Sequence, residues 1–137
     1  MDSAGTEIAL TPIAVVDASA LAAVAFNEPL AAEMSRRLAD RQLVAPRLLA
    51  YELTNAAVRK LRRHPDQATL IRAGLVRALS SDFALFWSDV DTAPVLDLAL
   101  ETGLTAYDAS YLWLARHLGA ELVTLDSELA AAASRLT

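Results

Sequence analysis

Four short apolar runs, at 13–16, 43–45, 83–87 and 122–125, divide the chain, and each is separated from the next by a stretch long enough for one or two helices. The runs read IAVV, LVA, FALFW and LVTL. They are rich in β-branched and aromatic residues and lack polar alternation, the pattern of strands covered on both faces. Strands joined by helical crossovers lie parallel. The chain is therefore expected to be an α/β protein, a three-layer α/β/α sandwich on a parallel sheet, with ligands binding beyond the carboxyl ends of the strands.

The intervening segments carry helix signals. Ser19 is expected to cap a helix over 19–26 that Asn27 ends, and Glu28-Pro29 to open a second with Leu30, Met34 and Leu38 on its buried face. A long helix over 47–63 follows Pro46, and Asp66 is expected to cap another through Leu79. Asp91 or Thr92, with Pro94, starts a helix ending at Gly103; Thr105 caps one over 106–118 stopped by Gly119; a last helix covers 127–135. Residues 1–12 show no period and read as a loose lead-in to a single domain over 13–137.

Composition narrows the chemistry. Cysteine is absent, which removes a thiol nucleophile, a disulfide framework and cysteine-bound zinc, and fits a cytoplasmic setting. From Ile8 to Phe26 the only charge is Asp17, nineteen residues that approach a membrane span. A mid-bilayer Asp costs roughly 2.5–3.5 kcal/mol, and no Lys or Arg precedes Arg36 to form a signal-peptide head, so no membrane partner is expected. The net charge of −5 is unevenly spread. Residues 36–77 hold ten basic and three acidic residues, a local +7; the remainder holds two and fourteen, or −12.

Four carboxylates stand out: Asp17 and Asp126 at the ends of strands, Asp108 in the first turn of a helix, and Glu52 on an otherwise apolar helix face. Each alone has an ordinary explanation. Asp17 suits a turn, Asp126 a cap, Asp108 a helix N-terminus, and Glu52 an arginine salt bridge. Together they imply more. Unit charges ~4 Å apart repel by about 4 kcal/mol at an effective dielectric of ~20, so converging carboxylates must take up protons, gather arginines or hold a cation. A cluster of oxygens without His or Cys suits Mg²⁺ or Mn²⁺, ions that polarise phosphoryl oxygens and acidify bound water.

The segments VVDASAL around Asp17, YELTN from Tyr51 to Asn55, TAYDASYL from Thr105 to Leu112, and LVTLD ending at Asp126 resemble the PIN-domain family, and within it the VapC-type toxins of type II toxin–antitoxin pairs. The resemblance runs from about residue 13 to 135 and is carried by the order of the four acids and the Tyr-Asp-Ala-x-Tyr-Leu box. It implies Mg²⁺-dependent endonucleolytic cleavage of RNA, with Mn²⁺ as substitute. Asp17 and Asp108 match the acids that hold metal most directly, Glu52 and Asp126 those that complete the metal and water shell. Ser19, Asn55 and Thr124 match the polar residues around them. It further implies a homodimer and a small antitoxin whose tail covers the acidic pocket. The lead-in is longer than the family's usual start, and the chain ends soon after its last helix, where relatives carry a short fifth strand; a four- to five-stranded sheet is expected.

The remaining polar residues have two readings each. Arg36, Arg37, Arg41, Arg59, Arg62 and Arg63 suit RNA phosphates or a solvated surface, and Lys60, the only lysine, suits a counter-charge to Glu52 or, more simply, a solvated surface. His64 and His117 read as helix-end residues, Trp87 and Trp113 as core, and Tyr111 with Trp113 as a dimer surface. The rival to an enzyme is a non-catalytic module that receives an arginine-rich peptide in its acidic pocket. A haloacid-type phosphatase is disfavoured because Asp17-Ala18-Ser19 lacks a second Asp, a receiver domain because no lysine follows Lys60, and a nucleotide-binding loop because glycines are few.

Overall fold

The computed structural model describes residues 11–80 and 84–136. Its sheet has four strands, β1 (Ile13–Val16), β2 (Gln42–Pro46), β3 (Leu85–Ser88) and β4 (Glu121–Val123), all parallel, in the order β3-β2-β1-β4. The expected α/β fold on a parallel sheet flanked by helices is found, with four strands among the described residues.

Ala14, Val15 and Val16 of β1 are fully buried, as a central strand requires. β3 lies at an edge, and Phe86 on it is 51% exposed. The expected run begins at Phe83, which lies outside the described residues. The strand order decides where a ligand can bind. From β1 the chain steps outward through β2 to β3, then returns to the other side of β1 for β4. Connections therefore diverge between β1 and β4, opening a crevice at their carboxyl ends.

Among the described residues seven α-helices flank this sheet: α1 (Ala18–Ala25), α2 (Ala31–Leu38), α3 (Leu48–Arg63), α4 (Ala68–Ala78), α5 (Thr92–Thr102), α6 (Ala106–Leu118) and α7 (Ser127–Arg135). Three start as their local sequence predicts: Asp91 accepts a hydrogen bond from Ala93 N–H, Thr105 from Asp108 N–H and Asp126 from Leu129 N–H. Gly103 and Gly119 end α5 and α6 at φ +77° and +61°, where a side chain would be strained.

Other boundaries differ, each for an identifiable reason. Asp17, not Ser19, caps α1, accepting from Ala20 N–H at 3.1 Å. Pro29 and Leu30 form a turn before α2 and Leu30 is exposed; Met34 and Leu38 alone make the buried face. Asp66 caps nothing, because Pro65–Gln67 forms a short 3₁₀ turn ahead of α4. β4 stops at Val123 because Thr124 and Leu125 turn their polar groups toward α1 instead of continuing the ladder. Among the described residues no helix is long and apolar enough to cross a membrane.

Candidate active site

At the carboxyl ends of β1 and β4 lies a cavity of about 730 Å³, and Asp17, Glu52, Asp108 and Asp126 all line it. Four separate parts of the chain supply them. Asp17 follows β1 and caps α1, Glu52 is in the second turn of α3, Asp108 is in the first turn of α6, and Asp126 caps α7. The ordinary role of Asp126 as a cap is thus real, Asp17 caps a helix where a turn residue was expected, and both also stand in the pocket.

Asp17 is the most firmly held. It is 5% exposed, and among the described residues only Thr124 joins it as a buried polar side chain. Its Oδ1 accepts from Ser19 Oγ at 2.7 Å and from Ala20 N–H; its Oδ2 accepts from Thr124 Oγ1 at 2.6 Å. The two hydroxyls are fixed in turn by the backbone after β4. Leu125 N–H donates to Ser19 Oγ at 2.8 Å, and Asp126 N–H to Thr124 Oγ1 at 2.9 Å. Ser19 and Thr124 therefore stand around Asp17 and hold it in place. A carboxylate has about four lone-pair positions, so three accepted bonds leave Asp17 one to turn toward the pocket.

Glu52 is held differently. Tyr111 Oη donates to its Oε1 at 2.5 Å, the short bond of a hydroxyl to a charged carboxylate. Tyr111 is 1% exposed, which removes it from any dimer surface, and its bond to Glu52 is a contact that sequence reasoning missed. The signal was present: Tyr111 lies three residues beyond Asp108, on the same face of α6. Among the described residues no arginine pairs with Glu52, and Lys60 is not its counter-charge. Lys60 Nζ pairs with Glu28 Oε2 at 2.5 Å. Arg37 and Arg41 are also withdrawn from the site, both bound to Glu121. Asn55, Arg59, Arg63 and His64 do line the pocket, His64 also closing the end of α3. Trp87 and Trp113 pack against the core, Trp113 stacking on His117 at 4.6 Å.

The pocket's electrostatics follow from this uncompensated charge. Burial raises the Asp17 carboxyl above its ordinary range, opposed by the three hydrogen bonds and assisted by Asp126. Burial likewise raises Glu52; the Tyr111 bond opposes, and Asp108 and Asp17 push it further up. Asp108 is raised by burial and then by Asp126, Asp17 and Glu128. Burial, with Glu52 beside it, holds the Tyr111 phenol protonated far above its usual range. No cation figures among the influences on these carboxylates.

Among the described residues, no three Asp, Glu, His or Cys side chains form a ready-made metal-holding group. The donor chemistry nonetheless fits a hard divalent ion. Mg²⁺ keeps several waters and needs only one or two carboxylates directly, and a cation relieves the mutual repulsion of the acids.

A PIN domain is matched over residues 14–134. The chain belongs to the PIN-domain family. This PIN domain is 34% identical to Ribonuclease VapC3 of Pyrobaculum aerophilum over 120 residues, 85% of the chain and 91% of that relative. It is 38% identical to Exonuclease VapC9 of the same organism over 118 residues, 85% of the chain and 83% of that relative. The fold is similar to the crystal structure of PAE2754 from Pyrobaculum aerophilum, with a TM-score of 0.73 and 30% identity, covering 93% and 94% of the two chains.

Proposed function

We propose that the protein is a metal-dependent endoribonuclease, the toxin of a toxin–antitoxin pair, with residues 13–137 acting as one catalytic unit in the cytoplasm. The observation that carries this reading is the pocket itself. Four carboxylates from four parts of the chain share one cavity, no cation figures among the influences on Asp17, Glu52 and Asp108, and the most buried of them is held by two hydroxyls and a backbone amide. Similarity to a relative named a ribonuclease supports RNA as substrate.

Asp17 and Asp108 are the residues assigned to hold Mg²⁺ or Mn²⁺. Such an ion, when bound, supplies charge stabilisation to the phosphate and a more acidic water. The chain's own contribution is orientation. Ser19 and Thr124 fix the angle of Asp17, and Tyr111 fixes Glu52. Glu52 and Asp126 accept hydrogen bonds from the attacking water and align it with the phosphorus, while Asn55 stands at the pocket wall. Hydrolysis then forms one P–O bond to water and breaks one to the departing sugar oxygen. Under this reading a small antitoxin covers the acidic pocket and the toxin forms a homodimer.

The test uses Asp17→Asn, which keeps the size and two acceptor bonds of Asp17 but removes its charge. Loss of Mg²⁺-dependent RNA cleavage by about 10³-fold with an unchanged circular dichroism spectrum is expected; full activity in this variant defeats the reading. Because the two relatives carry the names of a ribonuclease and an exonuclease, a closed circular RNA is the decisive substrate. An endonuclease opens it, whereas an exonuclease leaves it intact. A module that only receives an arginine-rich peptide would cut neither form and would gain no melting temperature from Mn²⁺.

A further inference from the structure

The pocket is acidic at one end only. Beyond Glu52, α3 continues for three turns along the wall, and Asn55, Ala56, Arg59 and Arg63 line the cavity from it. They follow Glu52 by three, four, seven and eleven residues, the spacing of one helix face. Lys60 also lines the cavity but is committed: Glu28 holds its ammonium, which stands 5.5 Å from the centroid of the Phe26 ring. Arg59 and Arg63 are exposed, and among the described residues neither has an ion-pair partner. They do not act on Asp17, Glu52 or Asp108 either. They are therefore not counter-charges for the acids; they are cations left open along the same groove.

Arg59 and Arg63 are one helical turn apart, about 6 Å along the axis, close to the span of one extended nucleotide. Arg59 lies about 10 Å from Glu52 along that axis. A stacked strand rises about 3.4 Å per nucleotide, so this distance covers about three stacked nucleotides and fewer extended ones. A ligand suited to both ends carries repeated negative charge and meets the acids only through a cation.

We infer that the face of α3 from Asn55 to Arg63 is a phosphate track, on which Arg59 and Arg63 each hold a backbone phosphate of single-stranded RNA to one side of the bond being cut. This inference rests on the ribonuclease reading of the pocket and adds the path of the substrate. Arginine suits the role because its planar fork bonds phosphate oxygens in pairs. These contacts position the strand without reading its bases.

The experiment places Arg59→Ala and Arg63→Ala, singly and together, in the Asp17→Asn background and measures binding of an eight-nucleotide single-stranded RNA by fluorescence anisotropy across salt concentrations. Each substitution is expected to weaken binding about three- to tenfold at low salt and to flatten the slope of log K against log salt by about 0.7. Arg72→Ala, on the exposed side of α4, is expected to change neither. With Asp17 restored, the gain in kcat/KM from a two- to an eight-nucleotide substrate should shrink in the arginine variants, through KM. Unchanged binding and salt slope overturn the track, as does arginine-dependent binding of a Glu-rich peptide at least as tight as that of RNA. If the unmodified protein fails to cut RNA while binding still depends on both arginines, the ribonuclease reading falls and the track stands. If it cuts RNA while binding is indifferent to both arginines, the track falls and the ribonuclease reading stands.

Discussion

Under the proposed function Asp17 must be both rigid and charged, two demands that conflict when no metal is bound. Burial and the neighbouring Asp126 oppose its charge, while Ser19, Thr124 and Ala20 N–H partly offset that cost. Asp17→Asn is therefore expected to stabilise the metal-free protein even as it removes activity. A gain on the order of 1 kcal/mol, a few degrees in Tm by scanning calorimetry in EDTA, is the outcome to look for. Tyr111→Phe tests the other held carboxylate. Without the phenol, Glu52 loses the one bond that lowers its proton affinity. The acid limb of the cleavage pH profile should then move to higher pH. A uniform loss at every pH would assign Tyr111 to packing alone.

Among the elements, α1 and α4 approach closely at Gly74. A Cβ at Gly74 would stand 2.3 Å from the carbonyl oxygen of Ala25, a backbone atom with little room to move. In an open helix, replacing Gly by Ala gains roughly 0.5–1 kcal/mol. Here Gly74→Ala is expected to cost about 1–3 kcal/mol, measurable by urea unfolding, because α4 must shift away from α1. Because α1 begins at Asp17, the same variant is expected to lower cleavage activity as well. Helix boundaries were legible where the signal is local. The caps Asp91, Thr105 and Asp126, and the terminal Gly103 and Gly119, satisfy backbone groups within four residues of themselves. At α1 the sequence pointed to Ser19 as the cap, and what decided against it was not local. Ser19 accepts from Leu125 N–H, more than a hundred residues away, and so leaves the cap to Asp17.

At the scale of the molecule, charge and stability are linked through proton uptake. Asp17, Glu52 and Asp108 bind protons more tightly folded than unfolded, so their contribution to stability is full below the ordinary values of 3.8 and 4.5 and is lost as pH rises through the raised folded values. Glu121 has the opposite sign. Burial pushes it up, but Arg41 and Arg37 outweigh that and hold it below 4.5, so its contribution is lost as pH falls. The metal-free protein is expected to gain Tm as pH falls from neutrality toward 4.5 and to lose it on further acidification. Saturating Mn²⁺ should reverse the first trend: at a hundredfold excess over Kd, binding adds about 2.7 kcal/mol near neutral pH and less where the acids are protonated. A Tm at pH 7 that ignores Mn²⁺ would contradict the metal assignment.

Local sequence was enough to establish most of the strands and helices and that the strands run parallel; the four acids were singled out by their order along the chain and the family pattern it resembles. Strand composition, connection length and capping act over a few residues, so their signals can be read before any distant contact is known. The order of the sheet and the partners of the acids came from the packed fold alone. Glu52 and Tyr111 lie 59 residues apart, Asp17 and Thr124 107 apart. Lys60 was free by spacing to face Glu52 and instead met Glu28. Such contacts depend on β4 returning to lie beside β1 and on α3 and α6 packing around the same crevice, and no local rule specifies which distant side chain arrives first.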